Sequence, residues 1–153
     1  MNPVSLVSWN VNGMRAAARK GWIEWLDVRR PDVLAVQEVR AWPEQLDDEI
    51  LHPFDYNSFF ACSEKKGYSG VGIYCRSEPT EVVIGLGDEK FDREGRTITV
   101  RFKDFTLINA YFPNGQRDHA RVPYKLSYCA AFLNYCEELR ANGELVVMCG
   151  NFN

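Results

Sequence analysis

The run VLAVQE, residues 33–38, is apolar at four consecutive positions and then turns polar with no turn residue between. A strand with one wet face alternates apolar and polar residues. An unbroken apolar run implies a strand covered on both faces, so the chain must be layered. The same plan recurs. VSLVSW gives way to Asn10 and Asn12, LVVMCG to Asn151 and Asn153, and LINAYFPNG carries Asn109, Tyr111 and Asn114. Gln37 and Glu38 close the first run. If these strands share one packing unit with their ends together, the polar groups converge where α/β proteins commonly bind ligands.

The intervening segments supply the rest of the layers. Met14, Ala17, Ala18, Ile23 and Leu26 recur at helical spacing, with Gly21 as a weak spot, and Arg30-Pro31-Asp32 ends the pattern. Pro43 opens a short acidic helix through Leu51. YNSFFAC, GVGIYCR, TEVVIGL, RTITVRF and FTLINAY are strand candidates punctuated by Gly67, Gly70, Pro79, Gly87 and Gly95. Residues 118–142 read as one helix whose apolar stripe is Leu126, Cys129, Phe132, Leu133, Cys136 and Leu139. Leu145 to Met148 reads as a buried strand. The expectation is a layered α/β sandwich forming a single domain over residues 1–153.

At 153 residues there is room for one domain with a real core, and 46% hydrophobic and 25% charged residues are ordinary for a globular protein. A net charge of −3 gives no global basic field, so a nucleic-acid partner would be held by local clusters. The apolar runs are far too short to span a membrane. Five cysteines, with no CxxC and no zinc spacing, read as small buried hydrophobes in a reduced, cytoplasmic compartment.

Hard oxygen ligands suit Mg²⁺, which keeps waters for a phosphate, and one Glu beside amide carbonyls is enough for an open site of that kind. Singly each signal is weak, because Asn beside Gly is by default a turn residue; recurrence at four strand ends lifts the reading. Basic and aromatic residues gather in loops: Arg15, Arg19 and Lys20; Lys65, Lys66 and Tyr68; Arg93 and Arg96; Arg117, Arg121 and Lys125. Each alone is a solvated face; together they can surround a phosphate backbone. His52 and His119 form no nucleophile–His–acid arrangement, and GxSxG, Walker, HExxH and GxGxxG motifs are missing.

In order and in register, WNVNGMRA, PDVLAVQEVRA, KGYSGVGIY, FDREGRTITV, NAYFPNG and CGNFN span Trp9 to Asn153. This set resembles the exonuclease III / AP endonuclease family of the endonuclease–exonuclease–phosphatase superfamily. The resemblance implies a four-layer α/β sandwich of two similar halves, with this chain as about the N-terminal half. It implies Mg²⁺- or Mn²⁺-dependent hydrolysis of phosphodiesters, 5′ to abasic sites and as a 3′→5′ exonuclease. Double-stranded DNA with abasic sites or 3′ ends is the implied partner, and the intact protein is expected to be a monomer with no membrane association. Glu38 is then the metal carboxylate, with Asn10, Asn151 and Asn153 in the same shell. Tyr111 faces the scissile phosphate, and Asn153 helps hold it. Asn12, Arg15, Lys66, Tyr68, Arg96, Asn114, Arg117 and Lys125 fall in blocks that approach DNA.

Two departures from the family's pattern bear on activity. The family's last block reads Gly-Asp-Phe-Asn, whereas position 151 here is Asn, nearly isosteric but unable to take up a proton near neutral pH. The family also continues with a second half that carries a further catalytic Asp and an Asp-His pair. A chain of this length alone is therefore expected to be inactive and to expose part of an intended core. The alternative is a protein that holds damaged DNA without cutting it.

Overall fold

A computed structural model describes residues 2–153. The described strands form two four-stranded sheets. The first runs in the order β1 (Leu6–Asn10), β2 (Val33–Gln37), β4 (Val71–Cys75), β3 (Asn57–Ala61). The second runs β5 (Glu81–Ile84), β6 (Thr97–Arg101), β7 (Thr106–Tyr111), β8 (Val146–Asn151). In each, only the pair β1–β2 or β7–β8 is parallel; the other pairs are antiparallel. All the expected strands form.

The apolar run of β2 shows how the layers are made. Along β2, Leu34 and Val36 point outward onto helices α1 (Met14–Arg19) and α2 (Trp22–Arg29), where Met14, Trp22 and Leu26 are buried. Val33 and Ala35 point the other way, against Ile98, Val100 and Leu107 of the second sheet. Beyond that sheet, Ile108 and Ala110 meet Phe91 of α4 (Glu89–Asp92) and Tyr128 and Phe132 of α5 (Val122–Ala141). The order of layers is helix, sheet, sheet, helix, and the two-residue pleat sets which side chain serves which layer. None of the described helices is long and apolar enough to cross a membrane.

Several boundaries differ from the sequence reading. The first helical pattern is two helices, because Gly21 takes a left-handed φ of 95° between them. The acidic segment is a 3₁₀ turn, Pro43–Gln45, and a separate α3, Asp48–Leu51, with Asp47 extended between. The long helix starts at Val122, not at residue 118, because Gln116 and His119 hold φ of 62° and 59°, outside helical geometry. Its inner face is rotated. Tyr128 is buried with its hydroxyl 2.6 Å from Thr97 Oγ1, while Leu126 and Leu133 are 63% and 59% exposed. The final strand extends to Asn151 and is not buried: it pairs with β7 alone, and Leu145, Val147, Met148 and Phe152 are exposed. A cavity of about 510 Å³ there is lined by Leu133, Met148 and Phe152. Cys75 and Cys136 are buried as expected, whereas Cys62, Cys129 and Cys149 are only partly so.

Candidate active site

The C-terminal ends of β1, β2, β7 and β8 lie together, since β1 and β2 pack against β8 and β2 against β7. Beneath those ends the sheets are tied by a buried amide pair. Asn109 donates to Val36 O at 3.0 Å and Gly72 O at 2.9 Å, and it accepts from Gln37 Nε2 at 2.8 Å. Gln37 also donates to Ser8 Oγ at 3.1 Å. Three strands of one sheet are thereby fixed to β7 of the other.

Two residues beyond Asn109 on the same face stands Tyr111, and one residue beyond Gln37 stands Glu38. A regular strand would aim residue 38 at the helix layer. Instead Glu38 takes φ 54°, and Arg40 takes φ 54° as well. The bend is strapped on both sides: Gly13 N–H donates to Glu38 O, Met14 N–H to Val39 O, Val39 N–H to Gly70 O and Arg40 N–H to Ser69 O. The kink turns the Glu38 carboxylate into the cleft. There Asn10 Nδ2 donates to Oε1 at 2.9 Å, Arg40 donates to Oε2 at 2.5 Å, and the Tyr111 hydroxyl faces the same carboxylate.

Burial works to raise the Glu38 carboxyl, but the bonds from Asn10 and Tyr111 and the charge of Arg40 outweigh it and hold the group below the ordinary value. Burial, the bond to Glu38 and its charge push the Tyr111 phenol up to about 12, so it is a neutral donor at pH 7. Glu94 is depressed in the same sense as Glu38: burial opposes, and bonds from Arg121 and Arg96 prevail. Folded values below 4.5 mean that the stability these carboxylates contribute is complete above 4.5 and is lost as pH falls below it. Urea midpoints are therefore expected to be flat from neutrality to that value and to fall below it, with Glu94→Gln flattening the acid limb. A wild-type midpoint unchanged down to about pH 3 would contradict the assignment.

Asn151 is the register partner of Tyr111 on the parallel neighbour β8. Cys149, two residues earlier, packs into the core between the sheets with Leu107 and Tyr111, so by the pleat Asn151 faces the same side. Its Oδ1 accepts from Asn153 N–H at 3.1 Å. Gly150 precedes it with φ 147°, and a Cβ there would sit 1.9 Å from Ala110 O, so only glycine lets the two strands approach this closely. Asn153 donates its side-chain amide to Phe112 O at 2.8 Å, and its own carbonyl accepts from Lys125.

Asn10 and Tyr111 thus both engage Glu38, with Asn151 and Asn153 on the adjoining strand end. Asn10 presents its NH₂ to Glu38, while its carbonyl accepts from Asn12 N–H at 3.0 Å. In this arrangement it orients the carboxylate. Asn12, Arg15, Lys66, Asn114 and Arg117 are exposed, with Asn114 closing a turn onto Gln116 N–H. Tyr68 is half-buried, with the Lys65 ammonium 5.1 Å from its ring.

Arg96 departs from its expected place. It is 3% exposed, and its guanidinium is used by Glu94, Tyr111 O and the Tyr68 hydroxyl at 2.7, 3.1 and 2.7 Å. It braces the two tyrosines from beneath and does not offer a free surface charge. Gly95 before it has no room for a Cβ, which would lie 2.4 Å from the Cys62 carbonyl carbon. The role of Arg40 and the bridge between Gln37 and Asn109 lie outside what the sequence predicts. The signal for Arg40 was its place two residues after Glu38 in QEVRA.

Residues 7–153 match the profile described as the Endonuclease/Exonuclease/phosphatase family. The chain is 39% identical over 152 residues to DNA repair nuclease APEX1 of Danio rerio, covering 98% of this chain and 49% of that protein. It is 36% identical over 151 residues to an exodeoxyribonuclease of Bacillus subtilis, covering 98% and 58%. The chain thus spans about half the length of the curated relatives it matches. Among solved structures, an AP endonuclease from Archaeoglobus fulgidus superposes with a TM-score of 0.85 at 28% identity, covering 98% of this chain and 57% of that one. The 3′ phosphatase NExo from Neisseria, bound to a product DNA hairpin, also superposes at 0.85, with 27% identity and coverage of 99% and 58%.

Proposed function

The chain belongs to the endonuclease/exonuclease/phosphatase family, and from that premise we propose that it is part of a DNA-repair nuclease of the AP endonuclease and exodeoxyribonuclease type. The observation that carries the reading is the meeting of Glu38, Asn10 and Tyr111 at the ends of strands from two sheets. Its substrate is double-stranded DNA with an abasic site or a 3′ end, and its bond of attack is the phosphodiester 5′ to the abasic position. The cited relatives carry nuclease names, which supports a phosphodiester over other phosphoesters.

The donor set fits Mg²⁺ or Mn²⁺ in an open site. Among the described residues no three His, Cys, Asp or Glu side chains cluster, as a closed structural centre would need. A single ionised carboxylate at a cleft suits a largely hydrated hard cation completed by phosphate oxygens. Glu38 would hold that ion, which when bound supplies neutralising charge for the phosphate oxygens. Tyr111, a neutral phenol, turns its one O–H from Glu38 toward charge developing on phosphate once a cation occupies the carboxylate, and Asn153 adds an amide. Asn151 sits where a proton acceptor is required and is unable to serve as one.

The test is cleavage of a duplex with one abasic site, in Mg²⁺ and then with chelator. This chain is expected to bind that duplex and leave it uncut. The same sequence with Asn151→Asp, extended to the length of its relatives, is expected to cut it in Mg²⁺ only, and Glu38→Ala to remove that cutting by at least about a hundredfold. An extended Asn151→Asp protein that binds abasic DNA without cutting it sinks the nuclease reading and leaves the second one, a binder of damaged DNA, which Asn151 itself favours.

A further inference from the structure

Arg40 stands between two features that no role so far connects. On one side it holds Glu38 Oε2 at 2.5 Å, while Asn10 occupies Oε1. On the other it lines a polar cavity of about 370 Å³ together with Asn12, Arg15, Arg19 and Gly67. Three guanidinium groups border that cavity, and no carboxylate does. The Arg40 side chain is 47% exposed and that of Glu38 is 13% exposed, so the arginine is the partner free to leave. An ion pair with one exposed member is weakly held, because water replaces the partner at small cost.

We propose that Arg40 is shared between Glu38 and a phosphate group in the adjoining cavity, so that divalent-cation binding and phosphate binding favour one another through it. This rests on the reading of Glu38 as a cation ligand. The physical case has three steps. A divalent cation needs an oxygen of Glu38, and Asn10 already holds one while a guanidinium holds the other. A cation and a guanidinium on one carboxylate repel, so arrival of the first expels the second. The expelled guanidinium has a nearby place to go, where it makes a third positive group for a tetrahedral anion. Conversely, an anion that draws Arg40 off Glu38 frees Oε2 for a cation. The coupling is reciprocal by necessity. The backbone of Arg40 need not move, because its N–H stays on Ser69 O and only the side chain swings.

The experiment is a titration of this chain with Mn²⁺, followed by electron paramagnetic resonance of the free ion, in chloride and in sulfate at equal ionic strength. Sulfate stands in for phosphate without precipitating the metal. The wild-type chain is expected to bind Mn²⁺ several-fold more tightly in sulfate. Arg40→Gln is expected to bind about tenfold more tightly than wild type in chloride, with no further gain from sulfate. Glu38→Gln is expected to lose the site in both salts. If Arg40→Gln binds Mn²⁺ no more tightly than wild type while Glu38→Gln abolishes binding, Arg40 does not compete and the proposal is overturned, with the cation site intact. If Glu38→Gln leaves Mn²⁺ binding unchanged, the cation reading of Glu38 fails and this coupling with it.

Discussion

Restoring a carboxylate with Asn151→Asp, in a chain extended to the length of its relatives, is expected to raise the single-turnover rate of cleavage at an abasic site by about 10²–10⁴-fold. The geometry argues that this gain comes without rearrangement. Asn151 accepts from Asn153 N–H through Oδ1, a bond that a carboxylate oxygen makes equally well. Its backbone is fixed by pairing with Tyr111 and by Phe112 N–H, which donates to Asn151 O at 2.9 Å. The second oxygen replaces an NH₂ at the same place, so what changes is the capacity to take up a proton. Affinity for the duplex should fall slightly, because a negative charge is added near phosphates. A rate unchanged by the substitution, with Mn²⁺ still bound at Glu38, would falsify the role given to position 151.

Asn109→Ala is expected to destabilise the fold by about 3–5 kcal/mol, read as a fall in the urea midpoint with an unchanged slope. The residue is fully buried, and its truncation takes the amide donor from Val36 O and Gly72 O and the amide acceptor from Gln37 Nε2, which keeps Ser8 Oγ. Each orphaned group costs about 1–3 kcal/mol, which outweighs the loss of packing around so small a side chain. Gln37→Leu in the same background should then cost less than it does alone, because it removes the amide that has lost this acceptor. Strictly additive effects would mean that the two amides act separately, and that the sheets are held in register by apolar contact alone.

The strands were legible because their residues report on burial directly. VLAV is apolar on four successive positions, and only a strand between two layers demands that. The helix boundaries were less so, since they turn on backbone conformations that composition does not announce: the left-handed Gly21, and Gln116 and His119 before α5. The apolar stripe of α5 was misjudged because tyrosine reads as an edge residue, whereas Tyr128 is central and satisfied by Thr97. Met148 looked buried for the opposite reason, since hydrophobicity marks what a segment can bury and not what covers it. At the site, the ordered blocks brought Asn10, Glu38 and Tyr111 into view together. They also drew Arg96 into the DNA-facing set, because a local motif conveys position along the chain and not depth. Asn109 was visible only as one more polar residue at a strand end. Its partners lie on strands distant in sequence.

The two left-handed residues that bracket Val39 have a consequence for how this protein would respond to selection. A side chain other than glycine held at such a φ costs about 1–2 kcal/mol. Glu38 and Arg40 therefore sit at positions where glycine is the more comfortable occupant. A screen that rewards heat resistance alone would drift toward glycine at position 40 first, where the side chain is half exposed and its loss removes little packing. It would meet more resistance at 38, where the carboxylate is held by Asn10, Tyr111 and Arg40 together. Libraries built to harden this fold should keep both codons fixed, or they will recover stable proteins that have quietly lost their aim.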